Sequence, residues 1–595
     1  MPTPADVTAT FCATFVDELV RAGVRDAVVC PGSRSTPMAL ALVADGRVRV
    51  HVHTDERSAA FLALGIAIER GVPAPVLTTS GTAAVELHPA MVEAHHAKVP
   101  MLALTADRPA ELHGVGAPQT IDQSHLFGSS VRAFHDPGVP DDAGRETWRR
   151  TAARVVADTI GPPAGPVQCN LAFREPLVGT AAPLPPGRDL GAPWIGHGAP
   201  ADADPDTVAA LADAVAGRRG VVVAGGGIEH PDGVLDLAEV LGWPVLADPR
   251  SGCRRPGEHV IAHADGLLRH ARFAGHVAPD VVLRCGELPA SRVVGEWLAA
   301  QGAAWQVGIE ADGATLDPWG SLASVIAAEP GALCAAVARA LEAADGDVRA
   351  PQAWAACWAQ ADAECAQVLV RALGRDPDLA EVAVARAVVG AVPAGGRLVV
   401  SSSMPIRDVE WYAPPRAGLR VLANRGTNGI DGVVSTAIGV AVGADVPTVA
   451  LVGDLAFLHD TNGLLGAGHR PADCTIVIVD NDGGGIFEHL PQAASLDADV
   501  FEQLFGTPHG LDLAAVAAAH GIAVTVADDP EQVGAAVRAT AGTPGCARGR
   551  AHRPTGRRRR PVGPAPGHGH RPRRHVGHRG VRRAVPVGGG RARRW

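Results

Sequence analysis

Between Val449 and Phe487 two short, unbroken β-branched runs, VALVG (449–453) and CTIVIVD (474–480), each end at polar residues. An uninterrupted apolar run of this length reads as a strand buried on both faces, and such strands belong to parallel sheets. The segment TNGLLGAGHR (461–470) between them is helix-like, so the stretch is a βαβ unit whose strands are near neighbours with their carboxyl ends on one edge. Asp454 stands just past the first strand and Asn481 just past the second, so both side chains can converge on one point. An anionic oxygen, an amide oxygen and backbone carbonyls are what a hard divalent cation needs when it also holds a diphosphate. The run Gly483-Gly484-Gly485 lets backbone approach a ligand closely. A plain doubly wound strand pair with an aspartate in a loop is the rival reading, and the rest of the chain decides between them.

At 595 residues the chain is too long for one core, and three domains are expected. Residues 1 to about 180 alternate helix and strand. DAVVCPG, RVRVHVH, APVLTTSGTA, PMLALTADRP and GPVQCNLAFREPL are the strands, and VTATFCATFVDELVRAG and DERSAAFLALGIAIERG the clearest helices. Such alternation predicts a parallel sheet covered on both faces, with ligand sites beyond the carboxyl ends of its strands. Ser33, Arg34 and Ser35, Glu56, Thr79 to Thr82 (with Gly81), Arg108 and Gln119 all fall at such ends. Each alone reads as a solvated side chain; five sites on one edge point to a binding surface.

A Pro/Gly-rich stretch, 177–205, is the expected interdomain linker. A second α/β segment follows, with strands in RRGVVVAGGG, GWPVLADPRSG, PDVVLRCGELP and AAWQVGIE. Its GGGIEHPDG resembles a nucleotide loop but lacks GxGxxG and a suitably placed acidic residue, so a glycine-rich turn is the better reading. A third segment begins near Pro351 with helices carrying Trp354 and Trp358, then strands in GRLVVSSSMPIRDVEW and LRVLANRGTNGIDG that lead to Ser403, Arg407, Arg425 and Ile430. The boundaries expected are 1–185, 186–350, 351–545 and a tail, 546–595.

Charge separates the tail from the body. The tail holds 16 Arg and no acidic residue, leaving 37 basic against 63 acidic residues in the body, a net charge of −26. Without apolar periodicity the tail cannot build a core. It reads as a disordered segment or as the product of a frameshift in a GC-rich gene; a basic arm for nucleic acid or anionic lipid is the alternative. Ten cysteines without CxxC spacing argue against a disulfide framework or a structural zinc site and suit a reducing cytosol. No apolar run spans a bilayer, and MPTPADVTATFC lacks the order of a signal peptide. A cytoplasmic protein that neither inserts into membranes nor binds nucleic acid is expected.

GDL followed 27 residues after its Asp by NDGGGIF resembles the GDG…N motif of thiamine diphosphate enzymes, and GDLAFLHDTNGLL is similar to one branch, the 2-succinyl-5-enolpyruvyl-6-hydroxy-3-cyclohexene-1-carboxylate synthases. PGSRS, HTDERSAAF, TSGTA and TADRP match that family in order and spacing. The resemblance implies three doubly wound parallel-sheet domains of the thiamine diphosphate-binding fold: a pyrimidine domain, a central domain without FAD or ADP, and a diphosphate domain. It implies thiamine diphosphate with Mg2+ (or Mn2+) held by Asp454, Asn481 and the carbonyl of Gly483. Further cofactor contacts are implied for Glu56, Thr79, Gly81, Ser403, Ile430, Gly453, Leu455, Gly484, Ile486 and Phe487. Glu56 matches the activating glutamate, whose carboxylate favours the reactive tautomer of the pyrimidine.

The implied reaction is decarboxylation of 2-oxoglutarate and 1,4-addition of the four-carbon carbanion to isochorismate. Both substrates carry two carboxylates, which suits an arginine-rich site: Arg34, Arg108, Arg407 and Arg425, with Arg292 in CGELPASRVV where the family more often has Lys. Ser33, Gln119 and Ser403 are neutral donors, and Ile486 and Phe487 an apolar wall. The catalytic set implied is Glu56, Arg34, Arg108, Gln119, Ser403, Arg407 and Arg425. His459 and His489 read as structural or solvent-facing. The resemblance places Glu56 and Asp454 of one site on different subunits of a homodimer or homotetramer. Another thiamine diphosphate enzyme, such as a 2-oxo acid decarboxylase or an acetolactate synthase, and an inactive homologue are the rivals.

Overall fold

The apolar runs become the central strands of three parallel six-stranded sheets in a computed structural model that describes residues 2–196, 203–375, 380–470, 472–541 and 548–552. The first sheet comprises β1 (Asp26–Val29), β2 (Arg49–Val52), β3 (Pro75–Thr78), β4 (Met101–Asp107), β5 (Ala133–His135) and β6 (Pro166–Ala172), in the order β2-β1-β3-β4-β6-β5. β1, β3, β4 and β6 are buried at every residue, as unbroken apolar strands in a doubly covered sheet must be.

The second sheet has β7 (Gly220–Ala224), β8 (Val245–Ala247), β9 (Val260–Ile261), β10 (Val281–Cys285), β11 (Trp305–Glu310) and β12 (Ser324–Ala327), ordered β12-β11-β10-β7-β8-β9. The third has β13 (Arg397–Val400), β14 (Arg420–Leu422), β15 (Thr448–Gly453), β16 (Cys474–Val479), β17 (Ala523–Val526) and β18 (Arg548–His552), ordered β14-β13-β15-β16-β18-β17. The three doubly wound domains expected from the sequence are present. The unexpected strands, β5, β9, β12 and β17, lie at the ends of their sheets and are short or half exposed, so they lack a long apolar run.

Three expectations need correction. No single helix connects β15 and β16. An α-helix, Asp454–His459, starts directly at the strand end, and two 3-10 turns, Thr461–Leu464 and Ala467–His469, follow. Glycines at 463, 466 and 468 break the run, and Gly466 takes a left-handed φ of 71°. Second, the helix Gln352–Leu373 buries Trp354 and Trp358 in the core of the second sheet rather than the third, and the Trp354 indole N–H donates to the Gly220 carbonyl at 2.8 Å. Third, the first residues of the basic tail are not structureless: Arg548–His552 pairs in parallel with both β16 and β17. A slot between two strands needs only an extended backbone with free N–H and C=O groups, whatever the side chains. The rest of the tail lies outside the described residues. The linker, as far as Gly196, is laid along the first domain: Thr180 and Ala182 donate backbone N–H to Asp6 and Thr10 of the first helix.

The first and third domains of one chain share a continuous core. Helix Glu56–Arg70 lies against helix Val433–Gly443, and glycines set the approach. A Cβ on Gly65 would fall 2.1 Å from the Thr436 carbonyl oxygen, and one on Gly439 would fall 2.2 Å from that of Leu62. Asp55 caps the first helix by accepting the Ser58 N–H at 2.9 Å. The same turn meets the third domain: Ser58 Oγ donates to the buried Asp460 at 3.0 Å, and Asn462 donates to Asp55 at 2.7 Å.

Candidate active site

β15 and β16 are adjacent and in register, Gly453 opposite Val479, so Asp454 and Asp480 leave the sheet side by side with Asn481 one residue further on. Asp454 is 3 % exposed. Its Oδ1 accepts the Leu455 N–H (2.6 Å), and its Oδ2 accepts those of Asn481 (3.2 Å) and Gly483 (2.8 Å). Three backbone N–H groups thus hold this one carboxylate in place. Gly483 has φ 138°, outside the range of side-chain-bearing residues, which is why glycine stands there. Gly484 is pressed against the segment 501–507: its N–H donates to the Gly506 carbonyl at 2.8 Å, and a Cβ there would meet Phe505 oxygen at 2.1 Å. Phe487 packs its ring 5.3 Å from that of Phe505, and Ile486 is half-buried beside it.

Asn481 Nδ2 donates to Glu381 Oε1 at 3.0 Å. Its Oδ1 is buried and has no hydrogen-bond partner among the described residues. A buried carbonyl oxygen left unpaired costs about 1–3 kcal/mol, and a bound cation removes that cost. The donor set of Asp454, Asn481 and nearby backbone therefore fits a hard divalent ion carrying a diphosphate. Burial and the Asp454 charge hold the Glu381 carboxyl above its usual range, against the opposing hydrogen bond from Asn481.

The sequence reading missed His509, which stands 3.4 Å from Asp454 Oδ2 and 3.7 Å from Asp480 Oδ1. Asp454, Asp480 and His509 together have the composition of a metal triad. However, the Leu511 N–H donates to His509 Nδ1 at 3.0 Å, so a neutral ring carries its proton on Nε2 and faces Asp454 as a donor, not a ligand. No motif announced it, because it approaches from a later loop.

The first sheet carries a second group of candidate residues at the ends of its strands. Gly32 of the PGSRS loop sits against Thr79, so closely that a Cβ would lie 2.3 Å from the Thr79 Cβ. Gly81 has φ 85° and touches Gln119, itself at φ 59°; Ser80 Oγ donates to the Gln119 carbonyl at 2.9 Å. Arg34 is buried, with Nη1 on the Phe173 carbonyl (2.8 Å) and Nη2 on Glu175 (3.3 Å). Arg34 Nε and Arg108 Nη1 are both buried without a hydrogen-bond partner among the described residues. Burial and the neighbouring Arg34 charge lower the Arg108 pKa. Two crowded guanidinium groups with unpaired N–H donors are a receptor for a carboxylate. Ser33 is exposed at the loop surface. Glu56 is half-buried at the first turn of its helix, and its charge reaches Cys30 just past β1, whose thiol burial pushes up.

A second cationic group gathers at the third and second domains. Burial, then Arg250, then Arg407 lower the Arg425 pKa, while Asp248 and Glu410 oppose them. Arg407 donates to the carbonyl of Ser403, a residue at φ 76°, ψ −133° in a region otherwise left to glycine. Such backbone strain costs roughly 1–3 kcal/mol and clusters at functional sites. Arg250, fixed by Asp248 and Glu287, is a member the sequence reading missed. Ile430 packs on the shared core. Arg292 is not brought to this cluster: its side chain is 88 % exposed and pairs with Glu296 on its own helix. His489 is exposed, and His459 gives its carbonyl to Arg57.

Family models match along the chain: the N-terminal binding domain of thiamine pyrophosphate enzymes over residues 9–126, their middle domain over 191–400 and their C-terminal binding domain over 409–547. The chain is 42 % identical to the 2-succinyl-5-enolpyruvyl-6-hydroxy-3-cyclohexene-1-carboxylate synthase of Chloroflexus aurantiacus, covering 89 % of this chain and 91 % of that protein. It is 42 % identical to the synthase of the same name from Myxococcus xanthus (90 % and 93 % covered) and 43 % identical to that of Thermobifida fusca (86 % and 90 %).

Proposed function

The chain belongs to the 2-succinyl-5-enolpyruvyl-6-hydroxy-3-cyclohexene-1-carboxylate synthases, a thiamine diphosphate-dependent transferase family, and from that premise we propose how its own residues carry the reaction. The substrates are 2-oxoglutarate and isochorismate, and the step belongs to menaquinone biosynthesis. Thiamine diphosphate, when bound, supplies the nucleophilic carbon and the electron sink that decarboxylation of a 2-oxo acid requires. Asp454, Asn481 and the Gly483 carbonyl hold the cation, Mg2+ or Mn2+, and through it the diphosphate. Glu56 holds a proton at the pyrimidine ring nitrogen. Ile430, Ile486 and Phe487 supply apolar walls that exclude water.

The observation that carries the substrate class is the pair of buried, unpaired guanidinium donors, Arg34 Nε and Arg108 Nη1. They bind one carboxylate, with Ser33 and Gln119 as neutral donors. The Arg407 and Arg425 group, next to Ser403, binds another. Arg292 contributes only if its side chain leaves Glu296, with which it pairs at the surface.

We divide the chain at about 185, 375 and 552, so that the helix Gln352–Leu373 goes with the second sheet and the strand Arg548–His552 with the third. The site is completed between subunits of a homodimer or homotetramer. Support comes from the exposed apolar residues Leu490, Leu496, Val500, Leu504 and Leu511, which follow the NDGGGIF loop and call for a partner surface. A cytoplasmic location accords with nine free cysteines among the described residues, and there no helix is long and apolar enough to cross a membrane.

The test is a coupled assay with 2-oxoglutarate, isochorismate, thiamine diphosphate and Mg2+. Equal release of CO2 and loss of isochorismate is expected. CO2 release with isochorismate untouched assigns the chain to a simple 2-oxo acid decarboxylase instead.

A further inference from the structure

Glu381 belongs to none of the motifs that mark the site. It lies in the first turn of helix Ala380–Ala391, 100 residues before Asn481, and its carboxylate reaches the Asn481 side chain. Its Oε1 accepts a hydrogen bond from Asn481 Nδ2 at 3.0 Å. An amide presents two chemically different ends, and only the oxygen can serve a cation. A carboxylate, which accepts and does not donate, selects the NH2 end and turns the oxygen away from itself. Asn481 Oδ1 is accordingly buried without a hydrogen-bond partner among the described residues. Gly485 makes the arrangement sterically possible: a Cβ there would fall 2.6 Å from Asn481 Nδ2, where the amide must turn toward Glu381.

We propose that Glu381 is a positioning residue that locks the Asn481 amide with its oxygen toward the cation. The inference rests on reading Asp454 and Asn481 as cation ligands. Without Glu381 the amide rotates freely or flips its NH2 group toward Asp454, and the cation loses a pre-oriented ligand. Partners of this kind, one bond removed from the metal, typically change affinity by about 10–100-fold when removed.

The experiment measures the Mg2+ dissociation constant by calorimetry at saturating thiamine diphosphate, and the unfolding temperature of each protein without cofactor. Glu381→Ala is expected to weaken Mg2+ binding about 10–100-fold with an unchanged unfolding temperature. Glu381→Gln, whose amide oxygen still accepts from Asn481, is expected to stay within about threefold of the wild type. Glu381→Leu removes the acceptor at similar volume and carries the same readout if the alanine variant does not fold. Because Glu381 acts through Asn481, the double variant Glu381→Ala/Asn481→Ala should bind Mg2+ no more weakly than Asn481→Ala alone. Wild-type affinity in the alanine or leucine variant, or additive losses in the double variant, overturns the proposal. If the wild type itself shows no Mg2+-dependent cofactor binding, the reading of the site fails and takes this inference with it.

Discussion

Two glycine-rich loops follow central strands of parallel sheets in this molecule, and they have opposite fates. The loop after β7 contains Gly225, Gly226 and Gly227; the loop after β16 contains Gly483, Gly484 and Gly485. In the first, the protein satisfies its own polar groups. Gly225 donates to the Cys285 carbonyl and Glu287 to that of Gly226, both at 2.9 Å. The Glu329 carboxylate, capping helix Pro330–Glu342, also accepts the N–H groups of Glu229 (3.0 Å) and His230 (3.4 Å). That carboxylate stands where an anionic ligand of a nucleotide loop would compete for the same amides. In the second loop a buried oxygen, Asn481 Oδ1, is left without a partner among the described residues, next to the Asp454 carboxylate that accepts the Gly483 N–H. Glycine content does not distinguish a turn from a binding site. The distinction lies in whether the fold leaves buried polar atoms for a ligand to satisfy.

That contrast can be broken by substitution. The largest effect is expected at the uncompensated loop: Asp454→Asn should weaken Mg2+–thiamine diphosphate binding by about 100-fold or more while the unfolding temperature without cofactor barely moves, as calorimetry and thermal melts would record. Next comes the strand-end group of the first sheet, where Glu56→Gln should cost about 10²–10⁴ in rate with cofactor binding retained; unchanged turnover would remove its assigned role. In the self-satisfied loop the effects should fall on stability instead. Gly225→Ala would put a Cβ 1.5 Å from the Glu287 carbonyl oxygen, and the forced shift should destabilise the protein by about 1–3 kcal/mol in denaturant titrations. Glu329→Ala should cost about 1 kcal/mol through the lost cap and leave kcat within about twofold; a large loss of activity there would make the second domain a participant rather than a spacer.

The two loops also differ in how much of them could be read beforehand. The NDGG motif and its partner GDL were legible because both lie at the ends of long apolar strands, and burial on two faces writes itself into consecutive residues. Asp454, Asn481, Arg34 and Arg108 became candidates by that route. Glu381, His509 and Arg250 were not. Each reaches its site from an element distant in sequence, so its role exists only as a contact. The helix expected at 461–470 failed for a local reason, its three glycines, and Trp354 and Trp358 were assigned to the wrong core because a helix pattern does not say which sheet it covers.

The sequence alone determined three parallel α/β sheets, their central strands and the residues at the ends of those strands, because two-sided burial and turn chemistry act over a few residues at a time. Only the tertiary structure decided which polar atoms are satisfied. It tied Glu229 and His230, beyond the Gly225–Gly227 run, to Glu329, left Asn481 Oδ1 unpaired among the described residues, and joined the first and third domains through Gly65 and Gly439. Hydrogen-bond satisfaction is a sum over neighbours brought together by folding, and no single stretch of chain contains that sum.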